Sequence, residues 1–243
     1  MRTVRVYSPA FQAGEVVLSP EESHHVVDSL RAQVGDEVTV FDGAGREGRG
    51  QITGIRRGEV SVAVDDVWER RFELRHRVTL AVAMAKAHRQ GYLIEKCTEL
   101  GVHAIWPIMT ERGVVRPSEF AVTKWARRAI EAAKQSGRAW IPVIEPLQPL
   151  AEVLGRAGGF EIAAIADEAG GSLSIFQVLS GTAEDARVLV CVGPEGGWTN
   201  AERRQAADTG LVSISLGPAI LRTETAAVTV CAAAAMLSAG QRE

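Results

Sequence analysis

Three short segments of this chain set glycines beside polar residues just where an apolar run ends. Ile165-Ala166-Asp167-Glu168 leads into Gly170-Gly171, Gly193-Pro194-Glu195-Gly196-Gly197 follows Leu189 to Val192, and Leu216-Gly217-Pro218 follows Val212 to Ser215. Glycine lets a ligand approach the backbone with no Cβ in the way and accepts φ values closed to other residues. If the three runs are parallel strands, their loops leave from one sheet edge, where ligands of open parallel sheets bind. A pocket there offers many backbone N–H and C=O groups and suits a nucleoside. Gly193 to Gly197 also reads as a tight turn, since Gly-Pro and Gly-Gly are common punctuation. A phosphate loop is disfavoured, because no Gly-Lys-Ser/Thr follows, no lysine lies nearby and no GxGxxG fingerprint falls in these loops.

A further segment, Leu221-Arg222-Thr223-Glu224-Thr225-Ala226, adds charge beside the last of these loops. On a purely structural reading Thr223 caps the helix that follows, Glu224 complements its dipole, and Arg222 pairs with an acid such as Glu195. On a chemical reading both charges stand at the pocket's edge. The helix itself, Thr225 to Leu237, is poor in bulk and permits close approach by another backbone, within the chain or across a subunit interface. Cys97, Cys191 and Cys231 are scattered, with no CxxC and no paired histidine spacing. That pattern predicts neither a metal site nor a disulfide framework, and fits a reducing cytoplasm.

With 243 residues, 46% of them hydrophobic, the chain can bury a large core in one domain or two. A net charge of −3 argues against a protein coated in positive charge for nonspecific nucleic-acid binding. A local cluster is still present: Arg112, Arg116, Lys124, Arg127, Arg128, Lys134 and Arg138, opposed by Glu119 and Glu131. It reads either as a solvated helix face or as a phosphate-contacting surface. The amino terminus lacks the apolar run of a signal peptide, and the longest apolar stretch, Ala226 to Leu237, is too short to span a bilayer. The expectation is a soluble cytoplasmic protein without membrane attachment.

The elements that must position these residues fall into two rhythms. Residues 1–74 read as short strands with one helix, a small β-barrel domain. Val4 to Tyr7, Glu37 to Phe41, Gly50 to Ile55 and Val60 to Val67 are its strands, and Asp42-Gly43 and Arg57-Gly58 its turns. Ser19-Pro20-Glu21-Glu22 opens the helix with a capping-box spacing, and Val26, Val27 and Leu30 form its apolar side. Glu69 to Arg77 is a charged link. Residues 75–243 alternate strand and helix, an α/β domain with a mostly parallel sheet. Strands are expected at Val78 to Met84, Ala104 to Ile108, Glu161 to Ala166, Val188 to Val192 and Val212 to Leu216. Helices are expected from 88 to 100, from Phe120 to Ser136, and from Thr199, where Thr199-Asn200-Ala201-Glu202 forms a second capping-box pattern.

Five stretches then converge on one family. IEKCTELGV (Ile94 to Val102), TERGVV (Thr110 to Val115), KWARRAIEAAKQSGR (Lys124 to Arg138), VGPEGGWTNAE (Val192 to Glu202) and LGPAILRTETA (Leu216 to Ala226) occur in order. Together they resemble the SPOUT superfamily of knotted methyltransferases. The narrower resemblance is to the family that methylates N3 of a uridine in bacterial small-subunit ribosomal RNA. HHVVDSLRAQVGDEV (His24 to Val38) and VFDGAG (Val40 to Gly45) resemble that family's PUA-like RNA-binding domain, so the match spans nearly the whole chain. It departs in two places: Ala219 stands where the family is usually basic, and AHRQG (Ala87 to Gly91) where the family often has a Gly-Asp/Glu-Lys segment.

The resemblance implies a trefoil-knotted α/β domain behind a PUA-like barrel, an obligate homodimer, and S-adenosylmethionine as cofactor. It places cofactor contacts at Ile165, Ala166, Val192, Gly193, Pro194, Glu195, Gly196, Gly197, Leu216, Gly217, Ile220, Leu221, Arg222 and Thr225. Arg222 and Glu224 become the catalytic candidates. Arg31, Arg112, Arg127, Arg128 and Arg138 become the RNA-contacting ones, and the partner is ribosomal RNA or the assembled small subunit. A bulky side chain at Gly196 is expected to abolish cofactor binding. Two other readings compete: a ribose 2′-O-methylating knotted enzyme, whose Ser-Leu-Asn-Val-Ser stretch is replaced here by Leu221 to Thr225, and a catalytically silent ribosome-assembly factor.

Overall fold

A computed structural model describes residues 4–72, 74–118, 120–168 and 173–239. Gly170-Gly171 and Glu119 lie outside the described residues. Contacts partition the chain into two units: residues up to 72 together with 130–141, and residues 73–129 together with 142–243.

In the first unit, β1 (Val4–Tyr7), β2 (Gly14–Val17), β3 (Glu37–Phe41), β4 (Arg46–Arg56) and β5 (Glu59–Glu69) form one sheet in the order β1-β3-β4-β5-β2. Its pairs are antiparallel except β1 with β3. Alternation along the strands buries Val38, Val40, Val60, Val62 and Val64 together with Phe11 and Ile52. β2 carries only one buried residue, Val16, and so leaves little alternation to detect. The helix α1 (Pro20–His24) begins where the sequence places it, with Ser19 Oγ accepting from Glu22 N–H. The reciprocal half of the expected box is absent, because the Glu22 carboxylate is used elsewhere: it accepts Tyr7 N–H at 3.1 Å and Lys134 Nζ at 2.8 Å. After α1 the chain widens into a π-helical turn, His25–Ser29, that keeps Val26 buried.

The second unit is built on a parallel sheet. In chain order it contains β6 (Arg77–Ala83), α2 (Ala87–Glu99), β7 (Ala104–Met109), α3 (Ala121–Ser136), β8 (Val143–Ile144), β9 (Gln148–Pro149) and α4 (Leu150–Gly155). There follow β10 (Ile162–Ala166), β11 (Leu173–Ser174), α5 (Ile175–Ser180), β12 (Arg187–Val192), α6 (Asn200–Asp208), β13 (Val212–Ser215) and α7 (Thr223–Ala239). Only the first part of α3 belongs to this unit.

The strand order is β11-β13-β10-β12-β6-β7-β8, with β9 beside β7. β6 is buried at every position after Arg77, which is why it reads as an uninterrupted apolar run. Helix α7 packs on α2, α5, β6 and β12. Its run of alanines admits these neighbours at close range, and Ala226, Ala227, Val230, Cys231 and Ala234 are buried. Parallel sheet, strand order and buried carboxyl-terminal helix agree with the fold the SPOUT resemblance implies. Among the described residues no helix is long and apolar enough to cross a membrane.

Candidate active site

β10, β12 and β13 run parallel and end together, so their following loops meet at one sheet edge. There they enclose an open-mouthed cleft of about 690 Å³, measured out to its solvent-facing rim. Of the expected cofactor contacts, Ala166, Val192, Gly193, Pro194, Gly197, Leu216, Gly217, Ile220 and Leu221 line it. The other expected cofactor contacts lie outside the lining. Ile165 is buried in the core beneath the cleft, while Glu195, Gly196, Arg222 and Thr225 are exposed. Alternation explains Ile165: its neighbour Ala166 takes the last strand position, where the chain turns into the loop.

Trp198 also lines the cleft, and no motif argument singled it out. Its ring is 2% exposed, and its Nε1–H donates to the Ala166 carbonyl at 2.8 Å. The ring lies so close to Gly193 that a Cβ there would sit 2.9 Å from Trp198 Cε2. Glycine at 193 therefore makes room for the indole. Gly197, with φ of +68°, reverses the loop so that the tryptophan can turn inward. The one available clue was position: a large apolar residue directly after Gly-Gly and directly before a helix cap.

The Gly193–Trp198 loop is held on several sides. Arg112 Nη1 donates to the Gly196 carbonyl at 2.9 Å and to that of Trp198 at 3.4 Å. Arg203 Nη1 donates to the Trp198 carbonyl at 2.7 Å, and its Nε and Nη2 grip Asp167 at 2.7 and 3.0 Å. The expected Thr199–Glu202 capping box forms in both directions, and Glu202 also accepts Glu111 N–H at 2.9 Å. Thr223 does not cap α7 from outside. It is the first helical residue, and its hydroxyl donates to the Gly193 carbonyl at 3.0 Å, tying α7 to the loop. Gly196 faces outward: a Cβ there would meet Arg112 Cβ at 3.2 Å. A bulky residue at 196 would thus disturb the arginine clamp rather than fill the cleft.

The charges near the cleft are arranged otherwise than expected. Arg222 is exposed and has no ion-pair partner among the described residues. The cation beside Glu195 is instead Arg89, whose Nη1 lies 3.6 Å from Glu195 Oε1 and 3.4 Å from Glu224 Oε1. Arg89 belongs to the AHRQG segment, and chain distance hid its pairing. Glu224 is only 7% exposed, and its Oε2 has no hydrogen-bond partner among the described residues. Among the described residues the cleft lining includes Asp167 and Glu168 and no lysine or arginine, which favours a cationic ligand over a phosphate.

The donor set fits a nucleoside sulfonium. Val192, Trp198, Leu221 and Ala226 supply apolar walls. Among the described residues, the backbone N–H groups of Leu216, Ile220 and Leu221 have no acceptor and are free for a base or ribose. Thiol chemistry is excluded on physical grounds. All three cysteines are buried, desolvation pushes Cys191 up to about 12, and the Cys231 sulfur together with burial raises Cys97. Among the described residues no group of three or more His, Cys, Asp or Glu could hold a metal ion.

The basic candidates separate sharply. Arg31 is exposed in the first unit, and Arg127 and Arg128 are exposed on α3, where Arg128 pairs with Glu95 at 2.5 Å. Arg112 is committed to the Gly196 loop. Arg138 is 7% exposed, which corrects its expected place on a solvent-facing phosphate surface. Lys134 is likewise buried, between Glu22 at 2.8 Å and Glu131 at 2.5 Å. The amphipathic rhythm of α3 did not show that its last turn is covered.

Comparison with known proteins agrees with this geometry. The family model described as RNA methyltransferase domain matches residues 72–235, and that described as RNA methyltransferase PUA domain matches residues 18–65. The chain is 34% identical over 212 residues to ribosomal RNA small subunit methyltransferase E of Synechocystis, covering 87% of this chain and 69% of the relative. The Bacillus subtilis protein of the same name is 32% identical over 217 residues, covering 86% and 85%. The crystal structure of the Neisseria gonorrhoeae protein of that name, bound to S-adenosyl methionine, superposes with a TM-score of 0.85 at 27% identity, covering 97% of this chain and 98% of that one. With its catalytic domain matched over most of its length and its amino-terminal domain matched as well, this chain belongs to the RNA methyltransferase family.

Proposed function

We propose that this protein transfers the methyl group of S-adenosylmethionine to N3 of one uridine in small-subunit ribosomal RNA. The observation that carries the reading is the cleft at the ends of β10, β12 and β13. It combines apolar walls, unused backbone N–H groups and acidic lining, in a chain whose relatives are named as small-subunit ribosomal RNA methyltransferases. The bound cofactor supplies a methyl group already electrophilic on its sulfonium, so no metal activation is required. The backbone of Gly193, Gly197, Leu216, Gly217, Ile220 and Leu221 holds and orients it. Alignment of the acceptor nitrogen with the methyl supplies much of the rate.

Uridine N3 carries a proton and is a poor nucleophile until that proton leaves. The negative charge then spreads onto the flanking carbonyl oxygens, where a nearby cation stabilises it. We assign that role to Arg222, which follows the cleft residue Leu221 and has no protein carboxylate claiming it among the described residues. Glu224 or Glu195 orients Arg222 or relays the proton, and Arg89 lies within ion-pair distance of both. Arg222→Ala is expected to cut turnover at least a hundredfold while leaving cofactor affinity within about twofold, on the scale of losing a single oxyanion stabiliser. Normal turnover with weakened cofactor binding would refute the role.

The reading extends to partners. Residues 1–74 act as the RNA-binding domain, and Arg31, Arg127 and Arg128 contact phosphates. The net charge of −3 favours a structured target, the assembled subunit over free RNA. A cytoplasmic homodimer is supported by the small-residue helix α7 and by exposed Met236 and Tyr92 on α7 and α2, which pack together. Sedimentation of the purified protein tests the dimer, and methylation rates on transcript against subunit test the target.

A further inference from the structure

Phe120 and Val114 are each 80% exposed, among the most exposed large apolar side chains of the described residues. Phe120 borders a groove whose other lining includes Gln90, Arg116, Lys124, Trp125 and Arg127. From these observations we propose that the groove is a subsite for single-stranded RNA flanking the methylated nucleotide, with one base stacked on Phe120. The proposal rests on the RNA-methylating reading but not on the identity of the methylated atom.

The groove has a fixed floor. Trp125 is 3% exposed, and its Nε1–H donates to Gln90 Oε1 at 3.2 Å, while Gln90 Nε2 donates to the Ala85 carbonyl at 3.0 Å. Lys124 N–H donates to the Phe120 carbonyl at 3.2 Å, so helical spacing already holds at Phe120. Positions 120, 124 and 127 therefore share one helix face, and an exposed ring stands in line with two cations. Arg116 adds a third cation from the facing loop, its guanidinium held by the Gly113 carbonyl at 3.1 Å. An aromatic platform interleaved with cations matches unpaired RNA, whose bases stack while its phosphates are neutralised.

Both walls of the groove are joined to the cleft. Gln90 adjoins Arg89, which faces Glu195 and Glu224. Arg116 lies four residues beyond Arg112, the clamp on the Gly196 carbonyl. Residues adjoining the groove thus touch residues adjoining the cleft. A second copy of this chain fits poorly, because a two-fold contact through this face would bring Arg116, Lys124 and Arg127 against their own equivalents.

The test measures affinity for small ribosomal subunits lacking the modification with wild type, Phe120→Ala and Phe120→Trp, beside calorimetry with S-adenosylmethionine. Loss of one stacked base should weaken RNA binding by roughly tenfold in Phe120→Ala, with cofactor affinity unchanged. Phe120→Trp should bind as wild type and show added fluorescence that RNA quenches. Lys124→Gln should lower the salt-dependence slope by roughly 0.7. Equal RNA affinity of Phe120→Ala and wild type overturns the subsite, as does a change in sedimentation of the RNA-free variant, which would assign the surface to a second copy. If wild type binds the subunit but methylates an atom other than uridine N3, the proposed reaction fails while the affinity ratio still decides the groove.

Discussion

Replacing Trp198 by phenylalanine removes one hydrogen bond and part of one ring from the wall between the cleft and the sheet. The lost bond is Nε1–H to the Ala166 carbonyl at 2.8 Å, in a side chain 2% exposed. Leaving that carbonyl without a donor costs about 1–3 kcal/mol. The smaller ring also opens space beside Gly193, whose backbone is packed against the indole. Some of that space can collapse, because the loop is near the surface, so a total of about 2–4 kcal/mol is expected. For a chain of this length each kcal/mol lowers the thermal midpoint by about 2–4 °C, giving a fall of roughly 4–16 °C. The same change frees the end of β10 from the Gly193–Trp198 loop, which together form two walls of the cleft. Cofactor affinity should therefore fall by about threefold to tenfold. Differential scanning calorimetry and titration with S-adenosylmethionine read the two effects. A variant with unchanged midpoint and unchanged affinity would show that Trp198 does not join the walls.

Other perturbations separate the remaining parts of the site. Arg112→Ala removes the clamp on the Gly196 and Trp198 carbonyls, and because the arginine is exposed a modest weakening of cofactor binding by about threefold is expected, read by calorimetry. Gly197→Val places a β-branched residue at φ of +68° with its Cβ 2.9 Å from Glu168 Oε1; about 1–3 kcal/mol of strain should abolish cofactor binding while far-ultraviolet dichroism stays native. Burial lowers the pKa of His76 and of His103 below 6.5, with Arg77 reinforcing the effect at His103. The unfolded chain then binds more protons than the folded one as pH falls through that value, so stability is full above 6.5 and declines below it. Urea midpoints should be lower at pH 5.5 than at 7.5, and His76→Gln should narrow the difference; a pH-independent midpoint would contradict this.

The cleft was legible because its pieces are local. Each glycine-bearing loop directly follows an apolar strand, and parallel strands send such loops to one edge. Most of the strands and helices were likewise visible in their periods, and the Thr199–Glu202 box formed as written. What escaped notice depends on partners distant in sequence. Glu22 has the spacing of a capping box, yet its carboxylate serves Lys134 and Tyr7. Arg89 reaches two acids more than a hundred residues away, and Arg138 lies buried in a segment that reads as an exposed basic helix end. Trp198 looked like an ordinary residue between a turn and a cap. Its role depends on which loop glycine leaves space for its ring.

The central claim is methyl transfer to one uridine N3, with Arg222 stabilising the anion. Its most direct test maps methylation, by mass spectrometry, on small subunits lacking the modification after incubation with the protein and S-adenosylmethionine. The account predicts a single new N3-methyluridine with wild type and at least a hundredfold slower formation with Arg222→Ala. No transfer, or a methyl group on a ribose oxygen or another base, would contradict it.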